Sequence, residues 1–162
     1  LRRDDPRRHA LALGIHVLGG GLSSRLFQTV REERGLAYSV FSSMAGYTDA
    51  GVVSVYAGTA PERADELQKV VAGEVAEAAA NGITAAEMAI ARDGFEGSIL
   101  LGLEDSGSRM SRLGTSQSLM GRVVPLDEYV ETLRAVTLED VNAVLAEVLS
   151  PEPAVAIVGS GT

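Results

Sequence analysis

The chain has 162 residues, enough for one domain with a substantial core, and its 46% hydrophobic and 22% charged content is that of an ordinary globular protein. Its formal net charge is −8, and residues 62–105 carry ten acidic side chains against only Arg63, Lys69 and Arg92, which excludes a nucleic-acid partner because phosphate binding needs a basic face. The absence of Cys excludes disulfides and thiolate metal sites, and the longest apolar stretch falls short of the eighteen residues that a membrane-spanning helix needs.

The elements follow in chain order. Arg2, Arg3, Arg7 and Arg8 form a basic cluster that Asp4 and Asp5 interrupt, as at a solvated helix start. Asp5 followed by Pro6 predicts a capped helix running to Leu18, with Leu11, Ile15 and Leu18 as its apolar stripe. Gly19-Gly20-Gly21 stops it. Ser23 or Ser24 then caps a second helix whose buried face is Leu26, Phe27 and Val30, ended by Gly35.

From Ala37 the apolar period changes to two. Residues 37–45 and 52–58 read as a β-hairpin joined by the turn-rich run from Gly46 to Gly51, with Tyr38, Val40, Ser42 and Met44 on one face and Ser39, Phe41 and Ser43 on the other. Pro61 opens a long helix to Asn81-Gly82, and Thr84 with Glu87 forms a capping box for the next, which reaches about Gly102. Helical segments follow over Ser108–Met120 (continuous with the preceding helix through a kink), Asp127–Ala135 and, capped by Thr137, to Leu149. Pro151 and Pro153 break the last one, and Ala154–Val158 reads as a terminal strand. Helices and strands are segregated, so the fold class is α+β, an antiparallel sheet packed against several helices.

Several chemistries fail on spacing. The three glycines are followed by Leu22-Ser23 where a phosphate loop needs Lys-Ser/Thr, and no strand precedes them as a dinucleotide site requires. His9 and His16 are seven apart, whereas zinc ligands on one helix stand three or four apart, and no third ligand accompanies them. No G-x-S-x-G elbow marks a serine hydrolase. By chemistry alone, Arg31 reads as a solvated cation near a helix C-terminus and Tyr38 as a half-buried strand residue.

The uninterrupted run from Leu18 to Val40, LGGGLSSRLFQTVREERGLAYSV, closely resembles the signature of the second, zinc-free half of insulinase and mitochondrial-processing-peptidase proteases (the pitrilysin superfamily of inverzincins). Looser likeness continues through the hairpin, the Thr84 helix start and Val136-Thr137-Leu138-Glu139-Asp140-Val141, covering nearly the whole chain. The resemblance implies a processing-peptidase-like C-terminal half-domain over residues 1–162, lacking its first strand. In that family the other half holds zinc on an H-x-x-E-H motif, absent here, and the two halves close like a clamshell. It further implies that Arg31 and Tyr38 reach the zinc site from opposite this motif, contact the substrate carbonyl and the oxyanion, and share one cavity.

The implied activity is therefore that of a zinc metalloendopeptidase acting on peptides or unstructured segments, with zinc bound outside this chain and no metal or other cofactor within it. The expected partners are a catalytic N-terminal half or homologous subunit, a peptide substrate and a second copy of the chain, without nucleic acid or membrane. The alternative is a non-catalytic homologue serving as a partner or structural subunit. The 13 Arg to one Lys within an Ala/Gly/Val-rich chain suggest a GC-rich bacterial genome, and with no signal peptide read at the start the expected compartment is the bacterial cytoplasm.

Overall fold

The computed structural model describes residues 1–159, and helix α1 (Arg8–Gly19) lies at their centre. Its predicted stripe of Leu11, Ile15 and Leu18 is buried, but so are Ala10, Leu13 and Val17, and Leu13 is wholly inaccessible. Only Arg8, Ala12 and His16, four apart along one face, are partly exposed, so the helix is enclosed on all but that stripe. Here the first strand and two of the later helices surround α1. Asp5 does not cap it directly: its Oδ1 accepts from the Arg7 backbone N–H at 2.9 Å, closing the turn before the helix.

Strands β1 (Ser39–Gly46) and β2 (Gly51–Gly58) pair antiparallel, with Ser39 opposite Gly58 and Gly46 opposite Gly51. The inner face, which includes Val40, Ser42, Met44, Val53 and Val55, lies on α1. The buried Ser42 hydroxyl donates to the Ile15 carbonyl at 2.7 Å. Gly19 comes so near the sheet that a Cβ there would stand 2.6 Å from the Ser42 backbone nitrogen, so only glycine allows this approach.

A single 3-10 turn (Pro61–Arg63) leads into α2 (Ala64–Asn81), which packs on the last helix. Thr84 and Glu87 form the expected capping box at the start of α3 (Ala85–Gly102). The kink expected beyond it is a complete break: the chain leaves α3 at Leu103, and Asp105 caps a new helix, α4 (Ser106–Met120), through the Ser108 N–H. Helices α5 (Leu126–Ala135) and α6 (Leu138–Leu149) follow, the latter opened by a Thr137–Asp140 capping box and lining the core with Val141, Val144 and Leu145. Helix α4 buries none of its residues.

The α+β class stands, but the sheet has two strands among the described residues. The segment Ala154–Val158 is no strand; Val155, Ile157 and Val158 are exposed. Alternating apolar residues favour extended backbone, yet a strand exists only where a neighbour accepts its ladder bonds, and none adjoins this segment.

Candidate functional site

The segment between α1 and β1 carries the residues singled out in the sequence. After one α-helical turn begun at Arg25, Phe27–Glu33 winds as a π-helix. Leu26 and Val30, four apart, are wholly buried and fix this helix to the core. Arg25 holds it from the side. Its Nε and Nη2 donate to the two carboxylate oxygens of Glu87 at 2.6 and 2.9 Å, and Nη2 also reaches the Gly82 carbonyl at 3.0 Å.

Glu87 simultaneously accepts from the Thr84 backbone and hydroxyl at 2.7 and 2.8 Å. The Arg25 guanidinium, aided by Thr84 and opposed by burial, holds the Glu87 carboxyl down at about 2, and Glu87 in turn raises Arg25. One residue of the sequence signature is thus a strut between the π-helix and the start of α3.

Arg31 lies near the end of the π-helix with its side chain 47% exposed. Its guanidinium carbon stands 4.8 Å from the centre of the Phe27 ring, a cation–π contact one helical turn back, and its Nε is 3.8 Å from Glu32. No hydrogen bond engages that guanidinium among the described residues, leaving its fork of donors toward solvent. Gly35, at φ +58°, then reverses the chain, its N–H bonded to the Arg31 carbonyl and the Leu36 N–H to that of Val30.

The turn is pinned from beyond the hairpin. Arg63 donates to the Gly35 carbonyl and Thr59 to the Leu36 carbonyl, each at 2.5 Å, while Leu36 and Ala37 are buried beneath. A rigid connector therefore separates Arg31 from Tyr38.

Tyr38 departs from the facing expected of it. It precedes β1, is 73% exposed, and bonds through its backbone N–H to the Gly58 carbonyl at 3.2 Å. Its ring lies over Gly58: a Cβ on that glycine would come within 2.9 Å of the Tyr38 Cζ and hydroxyl oxygen. Gly58 pairs with Ser39, so the ring has swung from the Val40 side to the outer face, beside Tyr56. Tyr56 faces Phe41 across the hairpin, their rings stacked at 5.1 Å and 27°. The neighbouring Tyr38 phenol raises the Tyr56 pKa above the usual phenol range.

Arg31 and Tyr38 are thus both presented on the surface at the two ends of one pinned turn, with no hydrogen bond between them. Cavities of about 390 and 330 Å³ lie elsewhere, among α3, α4 and α5, lined by residues such as Leu103, Arg112 and Leu113 or Tyr129. The sequence reading missed Tyr56, Phe41 and Gly58; the signal available was the period-two placement of Phe41 on the outer face.

The residues here do not fit a metal centre. His9 packs edge-on to Tyr129 at 5.3 Å and His16 to Phe95 at 5.5 Å, each with its pKa lowered by burial. Among the described residues no three His, Cys, Asp or Glu side chains are grouped to hold an ion. Nor is any described helix long and apolar enough to cross a membrane.

Residues 2–95 match the family model described as the peptidase M16 inactive domain, more than half of the chain and all of the segment from α1 through the hairpin. The chain belongs to the peptidase M16 inactive-domain family. Among relatives, an uncharacterized zinc protease of Mycobacterium tuberculosis is 47% identical over 152 residues, 94% of this chain and 35% of that protein. The crystal structure of a peptidase M16 inactive domain from Pseudomonas fluorescens superposes with a TM-score of 0.78 at 30% identity, over 91% of this chain and 35% of that one. A chain of complex III2 from Candida albicans shares the fold with a TM-score of 0.76 at 18% identity, over 90% of this M16 domain and 37% of that chain. This M16 chain spans about a third of the length of the curated relatives it matches.

Proposed function

We propose that this chain is the C-terminal, substrate-contacting half of a zinc metalloendopeptidase, whose zinc is held in a catalytic half outside residues 1–162. The observation that carries the reading is the pair Arg31 and Tyr38: an exposed guanidinium free of hydrogen bonds among the described residues and an exposed phenol, at the two ends of one turn whose backbone is pinned. Membership of the M16 inactive-domain family and the zinc-protease names of its relatives support it.

Peptide hydrolysis puts negative charge on the scissile carbonyl oxygen as the tetrahedral intermediate forms. A fixed cation and a phenolic donor aimed at that oxygen stabilise it more in the transition state than in the ground state, which is what accelerates the reaction. Arg31 supplies charge and a planar fork of donors; Tyr38 supplies one directional O–H. Rigidity matters because the donors then need no reorganisation at the moment of reaction. The exposed Phe41, Val52 and Tyr56 on the outer hairpin face are apolar surface that the catalytic half, or a homologous subunit, would cover.

The test is steady-state cleavage of an unstructured peptide by the full-length protein. Arg31→Ala and Tyr38→Phe should each lower the rate by about 10²–10³, the effect of removing one oxyanion donor, with stability changed by no more than about 1 kcal/mol because both side chains are exposed. Arg31→Lys should recover part of the loss, an ammonium lacking the guanidinium's fork. No cleavage by the full-length wild-type protein would favour the second reading, a non-catalytic subunit, for which the shared fold with a chain of complex III2 is the supporting observation. Wild-type turnover in both variants would refute the roles given to Arg31 and Tyr38.

A further inference from the structure

We propose that Phe27 is a positioning residue for Arg31, its ring serving as the platform that holds the guanidinium near the end of the π-helix while leaving the fork of N–H donors free for substrate. The inference rests on the reading of Arg31 as a substrate contact. Two arginines of this short segment are held in opposite ways. Arg25 commits its Nε and Nη2 to the Glu87 carboxylate at 2.6 and 2.9 Å, and Nη2 also to the Gly82 carbonyl. The acid paired with Arg31 is Glu32, which stays 3.8 Å from its Nε, beyond hydrogen-bonding distance. What meets the Arg31 guanidinium closely is an aromatic ring, with Cζ 4.8 Å from the centre of Phe27.

The contact confines the side chain without occupying it. A long side chain that is 47% exposed samples many rotamers, and a donor that wanders loses the advantage of pre-set geometry. A carboxylate would confine it too, but by taking two of its donors and neutralising the charge that an oxyanion needs. The ring attracts the cation through its quadrupole, accepts no directed hydrogen bond and leaves the charge in place. The backbone sets up the pair. Phe27 and Arg31 stand four apart in the π-helix, whose wider turn brings such residues more nearly into line than α-helical winding does. Leu26 and Val30, the residues immediately before them, are wholly buried, so the backbone beneath both side chains is anchored to the core. Phe27 is itself half-buried. Ring and guanidinium therefore rise from one fixed ridge. Phe27 touches no substrate in this scheme; it acts through Arg31.

The experiment measures kcat and KM for an unstructured peptide, together with the melting temperature, in the full-length protein. The variants are Phe27→Leu, Phe27→Tyr, Arg31→Ala, and Phe27→Leu combined with Arg31→Ala. Phe27→Leu keeps apolar bulk and removes the aromatic face. It should lower kcat about twofold to fivefold, the scale of one exposed cation–π contact, with KM nearly unchanged. Phe27→Tyr keeps the face and should hold the wild-type kcat. In the Arg31→Ala background Phe27→Leu should cost nothing further, a result that a merely structural role for Phe27 would not give. The melting temperature shows whether Phe27→Leu is folded, and Phe27→Met, a second aliphatic replacement, is read in its place where it is not. Full kcat in Phe27→Leu while Arg31→Ala is damaged, an equal loss in Phe27→Tyr, or losses that simply add in the pair, overturns the inference and leaves the functional reading standing. Wild-type cleavage by Arg31→Ala overturns the role given to Arg31, no cleavage by the unmodified protein overturns the functional reading, and the inference falls with either.

Discussion

Replacing Glu87 by Gln tests the strut that holds the π-helix. Gln keeps the shape and can still meet Thr84, but it cannot supply the charge that faces Arg25 at 2.6 and 2.9 Å. The fall of the Glu87 pKa from 4.5 to about 2 corresponds to at most about 3 kcal/mol, at about 1.4 kcal/mol for each pH unit. The carboxyl is 29% and the guanidinium 19% exposed, so solvent screening reduces the expected net contribution to about 1–2 kcal/mol. For a chain of this size that is a melting temperature lower by about 2–8 °C.

The pH dependence has a definite sign. The folded pKa lies below the unfolded one, so the stabilisation is complete above about pH 4.5 and is lost as pH falls toward about 2. Thermal melts of the chain between pH 2 and 7 should therefore show a wild-type advantage over Glu87→Gln that narrows on acidification. Adding Arg25→Met to Glu87→Gln should recover part of the loss, because it removes a half-buried guanidinium left with only the Gly82 carbonyl. Equal melting temperatures across the whole range, with no recovery in the double variant, would refute the reasoning.

Two further outcomes are expected. Leu13→Ala, at a wholly buried position on the central helix, should destabilise the chain by about 2–5 kcal/mol in chemical denaturation, and a loss below about 1 kcal/mol would contradict the enclosed placement of α1. After dialysis the chain should retain no stoichiometric zinc by elemental analysis, since His9 and His16 are each packed against an aromatic ring with no grouped ligands; a ratio near unity would overturn that account.

The sequence by itself determined what is local. Capping residues at Thr84 and Thr137, Gly35 at the end of the second helix, and the period-two run into the hairpin are written within a few neighbouring residues, because caps, turns and strand alternation depend on backbone groups close in the chain. The long run from Leu18 to Val40 also carried the family, which the match over residues 2–95 shows.

What depended on distant partners was decided only by the tertiary structure. The Arg25–Glu87 strut joins residues 62 apart, and nothing near Arg25 announces it. The swing of Tyr38 to the outer face depends on the space above Gly58, twenty residues on, so strand alternation alone placed it wrongly. Ala154–Val158 has the pattern of a strand and no neighbour to pair with, and pairing is a property of two segments. Helix α1 is buried on all but the stripe of Arg8, Ala12 and His16 because a strand and two helices enclose it, whereas its own periodicity showed a single apolar stripe.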